Sequence, residues 1–287
     1  MLIDTHAHLD YPDFTHDFHD VLRRANEAGV TRIITIGTSI ESSRRAIALA
    51  ETFPNVYAVI GVHPTTADES DEDVITPLRD LAKSPRVVAI GEAGLDYHRL
   101  PSMMAEKQKS VQVFARALQG ETEVEIEAGI QEGANKSKQA SLFEQQLDLA
   151  VELGLNVVVH QRDSWSDTLE IMRNYGRTLR GVFHCFGGTL EEANEVLAMG
   201  HLVSFTGIVT FKNGASVREV ATKVPSWKFM VETDCPYLAP VPFRGKRCEP
   251  AHTRLVADSI AAARGISVEE LAQATTETAE NFFRFVR

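Results

Sequence analysis

Cysteine is scarce in this chain, which contains three cysteines among its 287 residues. Three thiols cannot form an even disulfide framework, so the sequence excludes a disulfide-rich secreted scaffold and favours a reducing compartment. The first residues also lack a basic region followed by an apolar stretch. We therefore expect no secretion signal and a cytoplasmic location.

Long apolar runs are absent as well. No stretch approaches the roughly 20 apolar residues that a membrane-spanning helix requires, and we expect no membrane association. With 44% hydrophobic and 24% charged residues, the composition is ordinary for a globular protein that buries a large core. No feature of the sequence indicates an obligate protein partner.

Positive charge is in short supply. The chain has 29 lysines and arginines against 40 acidic residues, which gives a net charge of −11. Such a protein has no general attraction for a polyanion, and this counts against broad DNA binding along a basic surface. An enzyme that holds only a few phosphates is not excluded, because bound metal ions and a few local cations would suffice.

The sequence does contain a regular alternation of short apolar strands and amphipathic helices. Eight such units over this length predict an α/β protein with one domain, residues 1–287, folded as a (β/α)8 TIM barrel. The alternative is a doubly wound open sheet, which would need a Gly-rich phosphate loop after its first strand, and none is present. The predicted strands are 1–3, 31–36, 56–62, 87–91, 156–159, 181–183, 202–205 and 228–231.

The alternation is interrupted between the fourth and fifth strands. Residues 101–138 are longer than an ordinary connection between a strand and a helix, and we interpret them as an insertion at the rim of the site. A helix is predicted over 105–118. The segment through Gly129, Gly133, Asn135 and Lys138 is polar and typical of a loop.

Residues that can bind metal come at the carboxyl ends of the predicted strands. In a parallel barrel these ends lie at one face, where barrel enzymes place their active sites. Any one of these residues could be an ordinary hydrogen-bonded side chain, but seven at the same end are not expected by coincidence. The seven are His6, His8, His63, Glu92, His160, His184 and Asp234.

Six of these residues suit two divalent ions, because four histidines and two carboxylates exceed the needs of one tetrahedral ion. Two ions close together require a bridging oxygen donor. The predicted ligands are His6, His8 and Asp234 for one ion, His160 and His184 for the other, and Glu92 as the bridge. The mixed ligand set allows Zn²⁺, Mn²⁺, Fe²⁺ or Co²⁺, and loosely held Mg²⁺ is a further option.

Such a centre would activate a water for attack on an ester, amide or phosphodiester, with Glu92 and Asp234 as the catalytic carboxylates and Asp234 as the proton acceptor. Cations beside the ligands favour a phosphate substrate, because a guanidinium matches phosphate oxygens. Each of these cations alone is more often a solvated surface charge. The predicted phosphate-binding residues are His63, Tyr97, Arg162, Arg244 and Lys246.

Taken together, these motifs resemble the TatD family of metal-dependent deoxyribonucleases, in order and over almost the whole chain. The matching segments are 4–8 (DTHAH), 61–64 (GVHP), 91–97 (GEAGLDY), 160–162 (HQR), 183–186 (FHCF), 232–238 (ETDCPYL) and 244–250 (RGKRCEP). The resemblance implies a TIM barrel of the amidohydrolase type, two divalent metals, and hydrolysis of phosphodiester bonds in DNA, often exonucleolytic from the 3′ end, with single-stranded DNA or 3′ ends as the expected substrate. The family's ligand positions fall on the six residues already named.

Two other functions remain open. The same ions could serve a hydrolase of small esters, cyclic amides or D-aminoacyl-tRNA, although relatives of that kind carry a bridging lysine where this chain has Glu92. The chain could also be a non-catalytic binding module on a decayed barrel, against which the complete set of ligand residues argues.

Overall fold

The computed structural model describes residues 1–67, 73–98, 100, 122–283 and 285 of the chain. Within 122–283, side chains are described from residue 131 onward. Among these residues, eight strands form one parallel sheet in sequence order. The strands are β1 Leu2–Ala7, β2 Val30–Ile36, β3 Val56–Ile60, β4 Val87–Asp96, β5 Asn156–Arg162, β6 Gly181–Phe183, β7 Leu202–Phe205 and β8 Phe229–Val231.

The sheet curls until β1 meets β8. Ala7 and Cys235 form a parallel bridge at this seam. The N–H of Asp234 donates to the carbonyl of His6 at 2.9 Å, and the N–H of His8 donates to the carbonyl of Cys235 at 2.8 Å. The predicted TIM barrel is therefore confirmed. Because the seam joins β1 to the residues after β8, it brings the predicted ligands His6 and His8 close to Asp234.

Helices follow the strands and cover the outside of the barrel. They are α1 Phe18–Glu27, α2 Ile40–Thr52, α3 Ile75–Leu81, α4 Thr122–Leu153, α5 Trp165–Tyr175, α6 Leu190–Ala198, α7 Ala215–Lys223, α8 Thr253–Arg264 and α9 Val268–Phe282. A capping box begins α9, since the hydroxyl of Ser267 accepts from the N–H of Glu270 at 3.2 Å.

The strands are buried on both faces, as their continuous β-branched sequences predict. Along β2, Ile33 packs in the large core between the sheet and the helices, whereas Ile34 and Ile36 belong to a second cluster. That second cluster draws residues from all around the barrel and includes Phe282 and Phe283 at the end of α9. Apolar side chains from all eight strands thus pack together inside the described barrel.

Three strands extend beyond their predicted ends. The sequence predicts β1 over 1–3, β4 over 87–91 and β5 over 156–159, but pairing of β4 with β5 continues to Asp96 and Arg162. The polar sequence hides this extension, because strand propensity is low for Gly and Asp. His6, Glu92 and His160 consequently lie within strands, where the ladder hydrogen bonds fix their backbones.

The prediction of a loop over 129–138 is wrong, because these residues belong to α4. Half of this segment is Glu, Gln, Ala or Lys, which are good helix formers and offset its two glycines. Two buried glutamines then anchor α4 to strand ends: Gln139 accepts from the N–H of Asp96 at 2.8 Å, and Gln146 accepts from the N–H of Val62 at 2.8 Å. The helix predicted over 105–118 lies outside the described residues.

In the part of the chain that the structure describes, no helix combines the length and apolar character needed to cross a bilayer.

One buried histidine away from the predicted site should make folding stability depend on pH. His201 is fully buried, and its Nδ1 accepts from the N–H of Gly181 at 3.1 Å. Burial, with a smaller effect of the Arg180 charge, lowers the pKa of His201 to about 4. The unfolded chain therefore binds more protons than the folded chain between the ordinary histidine pKa and about 4, and the folded state loses stability as pH falls through this window.

We expect a His201→Gln variant to lose this dependence, since an amide can accept the same hydrogen bond without titrating. Between pH 7 and pH 4 the free energy of unfolding of the wild type should fall by about 3 kcal/mol relative to the variant. Urea unfolding of both proteins at the two pH values measures the difference. Parallel pH profiles would show that His201 is protonated in the folded protein.

Candidate metal centre

Glu92, in the middle of β4, lies among five imidazoles at the carboxyl face of the barrel. Its Oε1 is 2.8 Å from Nε2 of His184, 3.0 Å from Nδ1 of His160 and 3.7 Å from Nε2 of His63. Its Oε2 is 3.7 Å from Nε2 of His6 and 3.8 Å from Nε2 of His8. The two carboxylate oxygens thus face different groups of histidines.

Asp234, three residues beyond the end of β8, faces one of these groups. Its Oδ1 is 3.4 Å from Nε2 of His8 and 3.7 Å from Nε2 of His6. The backbone at Asp234 has a φ of 59°, a left-handed conformation that few residues other than glycine adopt. The seam with β1 and this turn together direct the carboxylate toward the two histidines of β1.

Further polar groups orient several of the rings from behind. Nδ1 of His8 is 3.3 Å from the carbonyl of Ile36, and Nε2 of His160 is 3.4 Å from Oδ2 of Asp96. Such contacts fix which ring nitrogen points at the centre, as in many metal sites where a histidine ligand donates its second N–H to an oxygen.

The donors fit divalent metal ions. Both ring nitrogens of His6 are buried without a hydrogen-bond partner among the described residues. The ring of His6 stacks on that of His184 at 4.1 Å, and Nδ1 of His160 is only 3.0 Å from Nε2 of His184. Imidazoles packed this closely cannot all be protonated, and cations that accept their lone pairs are the simplest way to satisfy them.

The electrostatics keep the carboxylates ionised. Burial would raise the pKa of Glu92, but the neighbouring histidines, chiefly the positively charged His184, hold that pKa well below its usual range. The pKa of Asp234 is also lowered: burial raises it, but the hydrogen bond with His8 and the charges of the surrounding histidines together outweigh burial. Burial and the His160 charge lower the pKa of His63 to about 3. The site therefore presents anionic oxygens and a neutral imidazole, which are the protonation states that bind metal.

Three sets of side chains in the described residues hold their donor atoms close enough to share an ion. The first set is the predicted ligand set of one ion. The second set shares only His6 with the first, and the third combines the Glu92 carboxylate with two histidines. The sets are His6, His8 and Asp234; His6, His184 and Glu232; and His63, Glu92 and His160.

An open cleft of about 1130 Å³ lies above these residues. Pockets for single small molecules are about 300–1,000 Å³, so this cleft exceeds that range. Arg162 and Lys136 lie in its wall together with Tyr11, Tyr97 and Tyr237.

The structure separates the predicted phosphate-binding residues into two groups. His63, Tyr97 and Arg162 line the cleft, and the Tyr97 hydroxyl donates to Asp167 at 2.7 Å. Arg244 and Lys246 do not line it; the Arg244 guanidinium lies over the ring of Phe211 at 3.8 Å. His63 also contacts Glu92 and His160, so it is closer to the metal-binding side chains than its predicted role requires.

Sequence reasoning missed two carboxylates at the centre, Asp96 and Glu232. Asp96 could have been found by strand periodicity, since it lies in β4 four residues after Glu92, and Glu232 by its position directly after β8. Oε1 of Glu232 is 3.7 Å from Nδ1 of His184 and accepts from the N–H of Cys185 at 2.7 Å. Glu232 therefore holds the backbone and ring of His184 in place.

We expect Glu232→Gln to weaken metal binding about 10- to 100-fold, because the amide keeps the shape of the side chain but loses the charge that polarises His184. Titration of metal-free protein with Mn²⁺ or Zn²⁺ gives the affinity directly. Glu195→Gln is the matched control, since Glu195 is a surface residue paired with Arg173. Equal affinities in the wild type and both variants would contradict the positioning role.

Comparison with known proteins gives one consistent picture. The model of the family described as TatD related DNase matches residues 3–284. The chain is 35% identical to YabD of Bacillus subtilis, an uncharacterized metal-dependent hydrolase, with 99% of both chains covered. It is 33% identical to the 3′-5′ ssDNA/RNA exonuclease TatD of Pantoea vagans, again over 99% of both. A crystal structure of the TatD homolog YJJV from Escherichia coli superposes with a TM-score of 0.82 at 27% identity, covering 98% of this chain and 97% of the other.

Proposed function

Because this chain belongs to the TatD family and is a metal-dependent hydrolase, we propose that it hydrolyses phosphodiester bonds of single-stranded DNA from the 3′ end. The observation that carries the proposal is the open cleft over the histidine and carboxylate cluster, with Arg162 in its wall. RNA is the second polymer to test, because a relative that matches over nearly the whole chain is named as an exonuclease on both.

Two divalent ions would occupy this centre. His6, His8 and Asp234 would hold one, His160 and His184 would hold the other, and Glu92 would contribute one oxygen to each. The separation of its oxygens supports the bridging role, since Oε1 faces His160 and His184 while Oε2 faces His6 and His8. Bound ions would supply the positive charge that polarises a phosphodiester and its attacking water.

The side chains of the chain itself would position and deprotonate the reactants. Asp234 would accept the proton that the attacking water loses, since its side chain is 16% exposed to the cleft and its Oδ2 is not the oxygen that faces His6 and His8. Water would form a new bond to phosphorus as the bond to the 3′ oxygen breaks, and that oxygen would take up a proton. The products would be a nucleotide with a 5′ phosphate and a strand shorter by one residue.

Arg162 would hold the phosphate. It is exposed at the end of β5, two residues after His160, and has no ion-pair partner among the described residues. A guanidinium in this position matches two phosphate oxygens and needs no rearrangement of a competing salt bridge. Tyr97, whose hydroxyl bonds to Asp167, would instead shape the wall of the cleft beside it.

The test is release of nucleotides from a 5′-labelled single strand by purified protein with Mg²⁺, Mn²⁺ or Zn²⁺. We expect a ladder that shortens from the 3′ end, loss of the ladder with a chelator, and recovery when the metal is restored. A strand with a blocked 3′ end should be resistant, and this comparison separates stepwise release from internal cleavage. Lactones, cyclic amides and aminoacyl esters serve as competing substrates in the same assay.

No cleavage of DNA or RNA by protein shown to contain metal would overturn the proposal. Faster hydrolysis of an ester or cyclic amide than of any phosphodiester would assign the centre to small-molecule hydrolysis instead. Protein that cannot be loaded with metal would indicate a barrel that has lost its activity.

A further inference from the structure

We infer that the single strand leaves the cleft across the loop that follows β8, so that residues outside the metal centre bind its upstream phosphates. This inference rests on the proposed function and adds a second nucleic-acid surface to it. The β8 loop comprises residues 236–249, and its neighbour is the turn Gly207–Thr210 with the residues up to 214 that follow it.

The β8 loop begins at the cleft and continues away from it. Tyr237 and Leu238 line the cleft together with Ile208 of the neighbouring turn. The two segments are in direct contact, since a Cβ on Gly207 would lie 2.2 Å from the carbonyl oxygen of Leu238. Farther out, the N–H of Val241 donates to Oγ1 of Thr210 at 2.9 Å. Together they form one continuous surface from the cleft outward.

This surface carries cations that are available to a ligand. Arg244, Lys246 and Lys212 are exposed and have no acidic partner among the residues described. Arg244 is held in place by its contact with the Phe211 ring. In contrast, Arg247 of the same loop pairs with Asp17 at 2.7 Å and fixes the loop to the barrel.

The acidic rim of the cleft is formed by the segments that follow β5 and β6. Asp163, Asp167 and Glu192 line the cleft there. From Pro236 to Cys248, by comparison, the sequence contains no acidic residue. In a protein with a net charge of −11, this local asymmetry would steer a strand toward the β8 loop and away from the acidic rim.

Aromatic rings on the same route suit unpaired bases. Tyr237 is 54% exposed at the mouth of the cleft and meets the ring of Tyr11 edge-on at 6.3 Å. Phe243 is 36% exposed and stacks on His252 at 4.6 Å. Stacking on fixed aromatic rings combined with a cationic track is how proteins hold single strands without reading their sequence.

The length of the surface limits the substrates that can use it. The chain from Leu238 to Arg244 can extend at most ~20 Å, at ~3.3–3.6 Å per residue. At an axial rise of ~3.4 Å per nucleotide in duplex geometry, a trinucleotide covers about half of this maximum distance, and an oligomer of about 12 nucleotides exceeds it. The longer strand therefore reaches Arg244 and Lys246 whatever the path of the loop, whereas a trinucleotide has only two internucleotide phosphates, one of which is the bond under attack.

The experiment uses two oligothymidine substrates, the trinucleotide and the longer oligomer. It compares their cleavage by the wild type and by a double variant, Arg244→Gln with Lys246→Gln. The matched control is Arg177→Gln with Lys223→Gln, which removes the same charge from exposed residues that do not line the cleft. Melting temperatures establish that all three proteins are folded. KM and kcat are measured for both substrates over a range of salt concentrations.

We expect the wild type and the control to have a lower KM for the longer strand than for the trinucleotide. In the double variant the KM for the longer strand should rise about tenfold, while kcat changes little. The slope of log kcat/KM against log salt for the long strand should become shallower by about 1.4, for two lost phosphate contacts. A wild-type length dependence and salt slope in the double variant would overturn the inference alone. Failure of the wild type to cut either substrate would overturn the proposed function as well.

Discussion

Replacement of Asp234 by asparagine should lower kcat/KM for single-stranded DNA at least about 10³-fold, because one substitution removes both a proton acceptor and an anionic ligand. Asparagine has nearly the same shape, so the seam between β1 and β8, which is made by backbone groups, stays intact. Most of the loss should appear in kcat, since the base acts in the transition state and does not hold the substrate.

Steady-state kinetics on a short labelled strand measures this loss, and metal analysis of the same preparations identifies its source. The Asp234→Asn protein should lose affinity for the ion near His6 and His8 while retaining one ion near His160 and His184. Asp258→Asn is the control, because Asp258 pairs with Arg254 on the surface of α8. Activity within about tenfold of the wild type would exclude Asp234 as the base, since general bases contribute about 10²–10⁴.

Much of the fold could be predicted because strand and helix signals agree along most of the chain. β2 is a run of β-branched residues, and α9 begins with a Ser-x-x-Glu capping box, so propensity, periodicity and capping all indicate the same structure. The prediction of a loop over residues 129–138 of α4 was wrong because most residues of this segment are polar and do not show an apolar helical pattern. The residues that hold it, Gln139 and Gln146, bond to strand ends more than 40 positions earlier in the chain, and no local pattern contains that information.

The candidate site was predictable for a different reason. A parallel barrel gathers the carboxyl ends of its strands, so residue type and strand position together give an approximate location without any knowledge of distances. The positions of Arg244 and Lys246 relative to the cleft could not be obtained in this way, because they depend on the path of a loop. That path is set by long-range contacts such as the Arg247 pair with Asp17 and the packing of Gly207 against Leu238.

The acidic composition of the protein and the positions of its cations together decide where a polyanion can approach the surface. Several arginines on the surface are engaged by carboxylates, as in the pairs of Arg24 with Glu249 and Arg79 with Glu152. Among the described residues that line the cleft, Arg162 is a cation without an acidic partner. A polyanion is repelled from most of the surface and attracted locally, which favours brief encounters with strand ends over stable coating of DNA.

Glu92→Gln should be as damaging to activity as Asp234→Asn, at least about 10³-fold, but it should differ in its effect on metal. The two oxygens of Glu92 approach both groups of histidines, Oε2 within 3.8 Å of His8 on one side and Oε1 within 2.8 Å of His184 on the other. Glutamine keeps one neutral oxygen for one side only. We therefore expect weakened binding of both ions, whereas Asp234→Asn should weaken one.

Competition between each protein and a calibrated chelator, followed by metal analysis, gives the number of ions retained by the wild type and by the two variants. Glu270→Gln is the control for Glu92→Gln, because glutamine preserves the capping box at Ser267. Equal retention of metal by Glu92→Gln and Asp234→Asn would show that Glu92 does not bridge. The five imidazoles around its carboxylate would then require a different arrangement of ions, with His63 and Glu232 as the additional donors nearest to the centre.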